Sequence, residues 1–125
     1  NLFKYIPHVP RAELPKLYNS CDVFVLLSLI EGLSLVILEA MSCGLPVIVS
    51  ENTGGRDIVR DGIDGFVVPV RDVELIKEKI LFLYENREIR YEMGNNAKEQ
   101  SKNFSWVNYR KKLLSFLLEI HSNKQ

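Results

Sequence analysis

Residues 28–50 read SLIEGLSLVILEAMSCGLPVIVS. Ser34–Cys43 has the marks of a short helix: Ser34 can cap its start, and Gly44 followed by Pro46 stops it. Pro46–Ser50 continues as a β-branched apolar run, the pattern of a strand buried on both faces. Upstream, Val23–Leu27 has the same character and is expected to be a central parallel strand. Strand, helix and strand in succession predict an open parallel α/β sheet, Rossmann-like, with flanking helices. Ligands in such sheets sit beyond the carboxyl ends of the strands, which points to the loops after Leu27 and after Ser50.

The flanking stretches extend this pattern. Asn1–Ile6 reads as a short strand closed by Pro7 and Pro10. In Arg11–Ser20, Leu14, Leu17, Tyr18 and Cys21 recur at helical spacing, and Pro15 is tolerated in the first turn. After Ser50 come a Thr53-Gly54-Gly55 loop, a helical turn through Asp57–Val59, a turn cluster at Asp61–Gly65 and a fourth strand at Phe66–Val68. Asp72 is a plausible cap for a helix whose face carries Val73, Ile76, Ile80, Leu83 and Tyr84. Arg87–Gln100 is a more polar helix. Ser105–His121 is amphipathic through Trp106, Tyr109, Leu113, Phe116, Leu117 and Ile120. Neither repeats nor low-complexity segments interrupt the chain.

The 125 residues provide for one domain, with 46% apolar and 26% charged residues, a globular balance rather than a disordered one. Lys plus Arg equals Asp plus Glu at 16 each, so no charge excess calls for nucleic acid or an anionic membrane. The longest apolar run, Val23–Ile30, is too short for a transmembrane segment. Cys21 and Cys43 have no metal-ligand spacing and lie among apolar residues. They read as small buried residues in a reducing compartment, with no disulfide and no zinc. The chain opens on Asn1 rather than Met, so it is expected to be a fragment of a longer protein.

Chemistry concentrates in the opening block. The Ser34–Cys43 helix is apolar nearly all round, which predicts burial, yet Glu39 lies in its middle. A buried, unpaired carboxylate costs several kcal/mol, so Glu39 needs donors. A structural partner would satisfy it, and so would a pair of neighbouring ligand hydroxyls. Unpaired amides and the helix dipole make the start of the same helix a natural anion site, worth roughly 0.3–1 kcal/mol for a phosphate. Gly32 permits close backbone approach. Glu31 stands at the mouth, as a site residue or as a solvated loop carboxylate.

The block resembles the signature of retaining glycosyltransferases of the two-Rossmann-domain (GT-B) type, the group 1 or family 4-like enzymes. Glu31 and Glu39 are separated by seven residues, and Ala40, Gly44, Pro46 and Val47 fall where that signature has them. The stretches "LPKLYNSCDVFVLLS", "NTGGRDIVRDGIDGFVVP" and "NFSWVNYRKKLLSFL" are similar to the family's flanking blocks in the same order. The resemblance implies that residues 1–125 are an incomplete C-terminal nucleotide-sugar-binding domain, lacking its first strands and the N-terminal acceptor domain. A gap in the sheet is expected there, unless another chain fills it or Asn1–Ile6 repacks. It also implies that Glu39 binds the ribose hydroxyls of the donor and that Glu31, the catalytic candidate, contacts the transferred sugar. The amides of Gly32, Leu33, Ser34 and Leu35 would hold the sugar and distal phosphate.

The implied reaction is transfer of a hexose from a nucleotide-diphosphate sugar, with retention, to an acceptor saccharide or glycolipid bound by the missing domain. The implied mechanism is front-face, with no cofactor. No metal is expected, since the sequence has no Asp-x-Asp. The fragment alone is expected to be inactive, and the location cytoplasmic, with the inner membrane face as a peripheral site for the full-length enzyme. A nucleotide-sugar epimerase of the same fold, or a non-catalytic binding subunit, is the alternative. The sequence departs from the family at Leu27, where Pro often precedes the serine, and the register around Thr53–Asp57 is ambiguous by one residue. Arg56 and Asp57 read as a surface salt bridge, and His8 and His121 as solvent-facing.

Overall fold

A computed structural model describes residues 2–32 and 34–123. Its frame is a three-stranded parallel sheet in the order β1-β2-β3, with β1 Phe24–Leu26, β2 Val47–Ser50 and β3 Gly65–Val68. Phe24 lies opposite Val47, and Val47 opposite Gly65. A 3-10 turn at Arg11–Glu13 leads into helix α1, Leu14–Asn19. The later helices are α2 Leu35–Ser42, α3 Val73–Glu85, α4 Arg87–Ser101 and α5 Trp106–Ser122.

Every residue of β2 is buried, and its alternation divides the core in two. Val47 and Val49 join Ile37, Ala40 and Met41 of α2, together with Ile58 and Ala97. Ile48 faces the other way, to Phe66, Val68, Leu83 and Met93. Helices thus cover both faces of the sheet, as the unbroken apolar run of β2 requires. The helix ends follow from their residues. Asp72 accepts from the Leu75 amide at 3.0 Å, and Ser105 accepts from the Asn108 amide at 3.2 Å. Gly44, at φ +80°, ends α2 in a conformation that disfavours a side chain. Gly65 is a close approach rather than a turn: a Cβ there would stand 1.9 Å from the Val47 carbonyl oxygen.

Several expectations are corrected. The strand expected at Asn1–Ile6 does not form. Residues 2–10 have no regular secondary structure, Leu2, Phe3 and Tyr5 are exposed, and Asn1 lies outside the described residues. A strand exists only where a neighbour accepts its hydrogen bonds, and this segment has none. For the same reason β1 is an edge rather than a central strand, with Val25 39% exposed. Helix α2 is buried on one side only. Ile37, Ala40 and Met41 are inaccessible, while Leu35 is 60% exposed. On α3, Leu83 is fully buried, but Val73, Ile80 and Tyr84 face solvent. Cys21 is exposed and Cys43 half-buried; both thiols are free, but neither is a core residue. Cys21 closes the exposed end of α1, its thiol donating to the Leu17 carbonyl at 3.4 Å. Arg56 and Asp57 are exposed, and among the described residues neither forms an ion pair. Among the described residues no helix is long and apolar enough to cross a membrane.

Candidate donor site

Helix α2 starts where β1 ends, so their connection lies beyond the carboxyl end of the sheet. Polar residues at the end of β2 fasten this loop. Ser50 Oγ donates to the Ser28 carbonyl at 2.6 Å, Asn52 Nδ2 to the Leu29 carbonyl at 3.0 Å, and the Glu31 amide to the Asn52 carbonyl at 2.8 Å. The next turn is closed by Thr53, fully buried, whose hydroxyl donates to the Ser50 carbonyl at 2.7 Å. Leu27 supplies no proline-imposed φ, and these cross-loop bonds fix the path instead. Sequence reasoning missed Ser50 and Asn52. The available signal was a polar residue, Ser50, ending an otherwise apolar strand, with Asn52 two positions on.

Glu31 and Gly32 are exposed on this loop, and among the described residues the Glu31 carboxylate has no hydrogen-bond or ion-pair partner. A Cβ on Gly32 would meet nothing within 4 Å, so the space above the backbone is open. Leu33 lies outside the described residues. Ser34 occupies the cap position with extended dihedrals, but its hydroxyl caps nothing. The first-turn amides of Leu35 and Val36 therefore have no acceptor from a capping side chain, and the helix dipole adds partial positive charge there.

Glu39 is the fifth residue of α2, roughly 6 Å along the axis from Leu35. It is half-buried rather than inaccessible, and it faces α1. Tyr18 Oη donates to Glu39 Oε2 at 3.2 Å. The carboxylate thus has a structural donor, and the second oxygen has no partner among the described residues. Both residues line a pocket of about 160 Å³ with Arg11, Leu14, Pro15, Ser42 and Cys43. Burial, reinforced by the Glu39 charge and its hydrogen bond, pushes the Tyr18 phenol up from 10.0 to about 12. Tyr18 therefore remains a protonated donor across the physiological range. Glu31 and Gly32 precede α2, Ser34 holds its cap position and Leu35 its first position, with Glu39 about one turn further along the same helix.

The region between β2 and β3 is structural. Asp64 is inaccessible and accepts from Arg60 Nη2 at 2.7 Å, Nε at 3.0 Å and its amide at 2.9 Å. Asp61 Oδ1 accepts from the Val67 amide at 2.9 Å. Among the described residues no three His, Cys, Asp or Glu side chains converge as metal ligands.

The model of the family described as "Glycosyl transferases group 1" matches residues 1–100. The chain belongs to that family. Among curated relatives, the O-antigen chain mannosyltransferase B of Escherichia coli is 39% identical over 105 residues, covering 84% of this chain and 27% of that protein. Sucrose-phosphate synthase from Thermosynechococcus elongatus superposes with a TM-score of 0.84 at 24% identity, covering 96% of this chain and 30% of that one. Anabaena HepE in complex with UDP-glucose superposes with a TM-score of 0.76 at 27% identity, covering 87% of this chain and 30% of that one. As a group 1 family member with these structural neighbours, the chain has the fold of a GT-B C-terminal domain. It spans about a quarter of the length of the curated relatives it matches.

Proposed function

We propose that this chain is the donor-binding half of a glycosyltransferase that moves a sugar from a nucleotide-diphosphate sugar to an acceptor saccharide or glycolipid, with retention of configuration. One observation carries the reading. A family-matching loop and helix beyond the sheet present an exposed carboxylate, an open glycine, uncapped amides and a half-satisfied Glu39 in sequence along one element. The complex of HepE with UDP-glucose supports a nucleotide-sugar ligand for this fold.

In this reading, the Glu39 carboxylate accepts from the two ribose hydroxyls, and Glu31 accepts from hydroxyls of the sugar. The backbone from Gly32 to Leu35, Leu33 included, holds the distal phosphate and sugar by amide donation. The chain offers no nucleophile–base pair at the mouth, so its contribution is positioning and charge stabilisation. The leaving diphosphate oxygen takes the acceptor proton as the acceptor attacks the face it departs from. The helix N-terminus takes the place of a metal at the diphosphate. Acceptor contacts come from the rest of the enzyme. Neither an epimerase nor a non-catalytic subunit gains support from the relatives described above.

The test is turnover by the full-length enzyme of UDP-, GDP- and ADP-sugars, with the anomeric configuration of the product read by NMR. A product of the donor's own configuration, formed equally in excess EDTA, is expected. An inverted product would overturn retention, and activity abolished by EDTA and restored by Mn²⁺ would overturn the metal-free site.

A further inference from the structure

We propose that Tyr18 is a positioning residue for the donor site: its hydroxyl holds one oxygen of Glu39 so that the carboxylate is presented in a fixed orientation to the nucleotide. The proposal rests on the reading of Glu39 as the ribose ligand and adds a residue to that site.

The terminal torsion of a glutamate is soft, with a broad, roughly two-fold profile. A carboxylate that must meet two hydroxyls at once therefore gains from an anchor on one oxygen. Glu39 has that anchor in Tyr18, which comes from another helix, 21 residues earlier, and donates to Oε2 at 3.2 Å. The Tyr18 ring is itself held. It packs against the α2 side of the core and meets Phe24 edge to face, with centroids 6.1 Å apart at 66°. Phe24 opens β1, so the anchor is tied to the sheet.

The chemistry of the anchor also matters. Arg11 lines the same pocket, but among the described residues it forms no ion pair with Glu39. The donor in contact is a neutral phenol, which leaves the negative charge intact for ligand hydroxyls. A carboxylate has about four lone-pair sites, so one tyrosine bond leaves room for a bidentate ligand.

The experiment is a double-mutant cycle in the full-length enzyme with Tyr18→Phe and Glu39→Gln. UDP, GDP and ADP are each titrated by calorimetry, and donor KM and kcat are measured in parallel. Phenylalanine keeps the ring and its packing, so folding is preserved, and melting temperatures verify it. Tyr18→Phe alone should weaken nucleotide diphosphate about three- to tenfold and raise donor KM, with kcat within about twofold of the parent. In the Glu39→Gln background the same change should cost less than about twofold, because the anchor has lost its charged partner. Equal losses in both backgrounds, a fall confined to kcat, or no loss at all would overturn the role of Tyr18. If Glu39→Gln itself binds nucleotide like the parent, the ribose reading fails first, and the role of Tyr18 with it.

Discussion

Tyr18 and Glu39 show how a residue's partners decide what a sequence position means. Glu39 in an apolar helix demands a donor, and two kinds of donor meet that demand on physical grounds. The structure supplies one, the Tyr18 hydroxyl, and leaves the other oxygen free among the described residues. This contact has a pH signature. The phenol is raised from its ordinary 10.0 to about 12 in the fold, first by burial and then by the Glu39 charge. The folded protein therefore holds this proton more tightly than the unfolded chain does. The stabilisation is fully present below pH 10 and is lost as pH rises toward 12. Denaturation midpoints of parent and Tyr18→Phe, followed from pH 8 to pH 12, should converge as the phenol ionises. A constant offset across that range would contradict the buried, charge-facing phenol.

Elements follow from sequence wherever their stability is local and lose legibility wherever it comes from a neighbour. The cap at Asp72, the stop at Gly44 and the buried run of β2 depend on nearby residues and were legible, whereas the side-chain cap expected of Ser34 does not form and the cap at Ser105 was not foreseen. The start of α2 at Leu35, just after Glu31, Gly32 and Ser34, was legible because it too depends on nearby residues. The strand at Asn1–Ile6, the central position of β1 and the all-round burial of α2 each require a packing neighbour that is not found among the described residues, and those readings failed. Tyr18 was seen as part of an apolar face and not as a donor, because its contact to Glu39 spans 21 residues. Gly94 was hidden too, inside a helix that reads as polar. It is buried, and a Cβ there would lie 2.2 Å from the Gly44 carbonyl oxygen, where α4 crosses the end of α2. Backbone cannot yield as a flexible side chain does. The clash should cost about 1–3 kcal/mol and outweigh the roughly 1 kcal/mol gained in helix propensity, so Gly94→Ala should destabilise the domain by up to about 2 kcal/mol net. Chemical denaturation measures it, and an unchanged or raised midpoint would show that the two helices do not touch there.

At the scale of the whole molecule, the chain exposes what a longer protein has reason to cover. Among the described residues the outer edge of β1 is unpaired and Leu35 is open, while α5 buries none of its residues although Trp106, Leu113, Phe116 and Leu117 line one side of it. Such a continuous apolar helix face is unusual for a free surface. These features agree with a chain spanning about a quarter of its curated relatives. Under the donor reading, a chain of this span has a catalytic consequence: without acceptor contacts, transfer has no second substrate in place. The 125-residue chain by itself should show no sugar transfer with UDP-, GDP- or ADP-sugars over a panel of saccharide acceptors, while the full-length enzyme does. Turnover by the purified chain at the full enzyme's rate would contradict the division into donor and acceptor halves. The central claim is that the two glutamates of one helix and its loop divide the donor between them, Glu39 taking the nucleotide and Glu31 the sugar. Calorimetric titration of nucleoside diphosphate into full-length Glu39→Gln and Glu31→Gln tests it most directly, with melting temperatures as the control for folding. Loss of hydrogen bonds to a charged group is worth about 1.5–3 kcal/mol, so Glu39→Gln should bind about tenfold to a hundredfold more weakly. Glu31→Gln should bind within about twofold of the parent and show its defect in kcat. A folded Glu39→Gln enzyme that binds nucleotide as tightly as the parent would contradict the account.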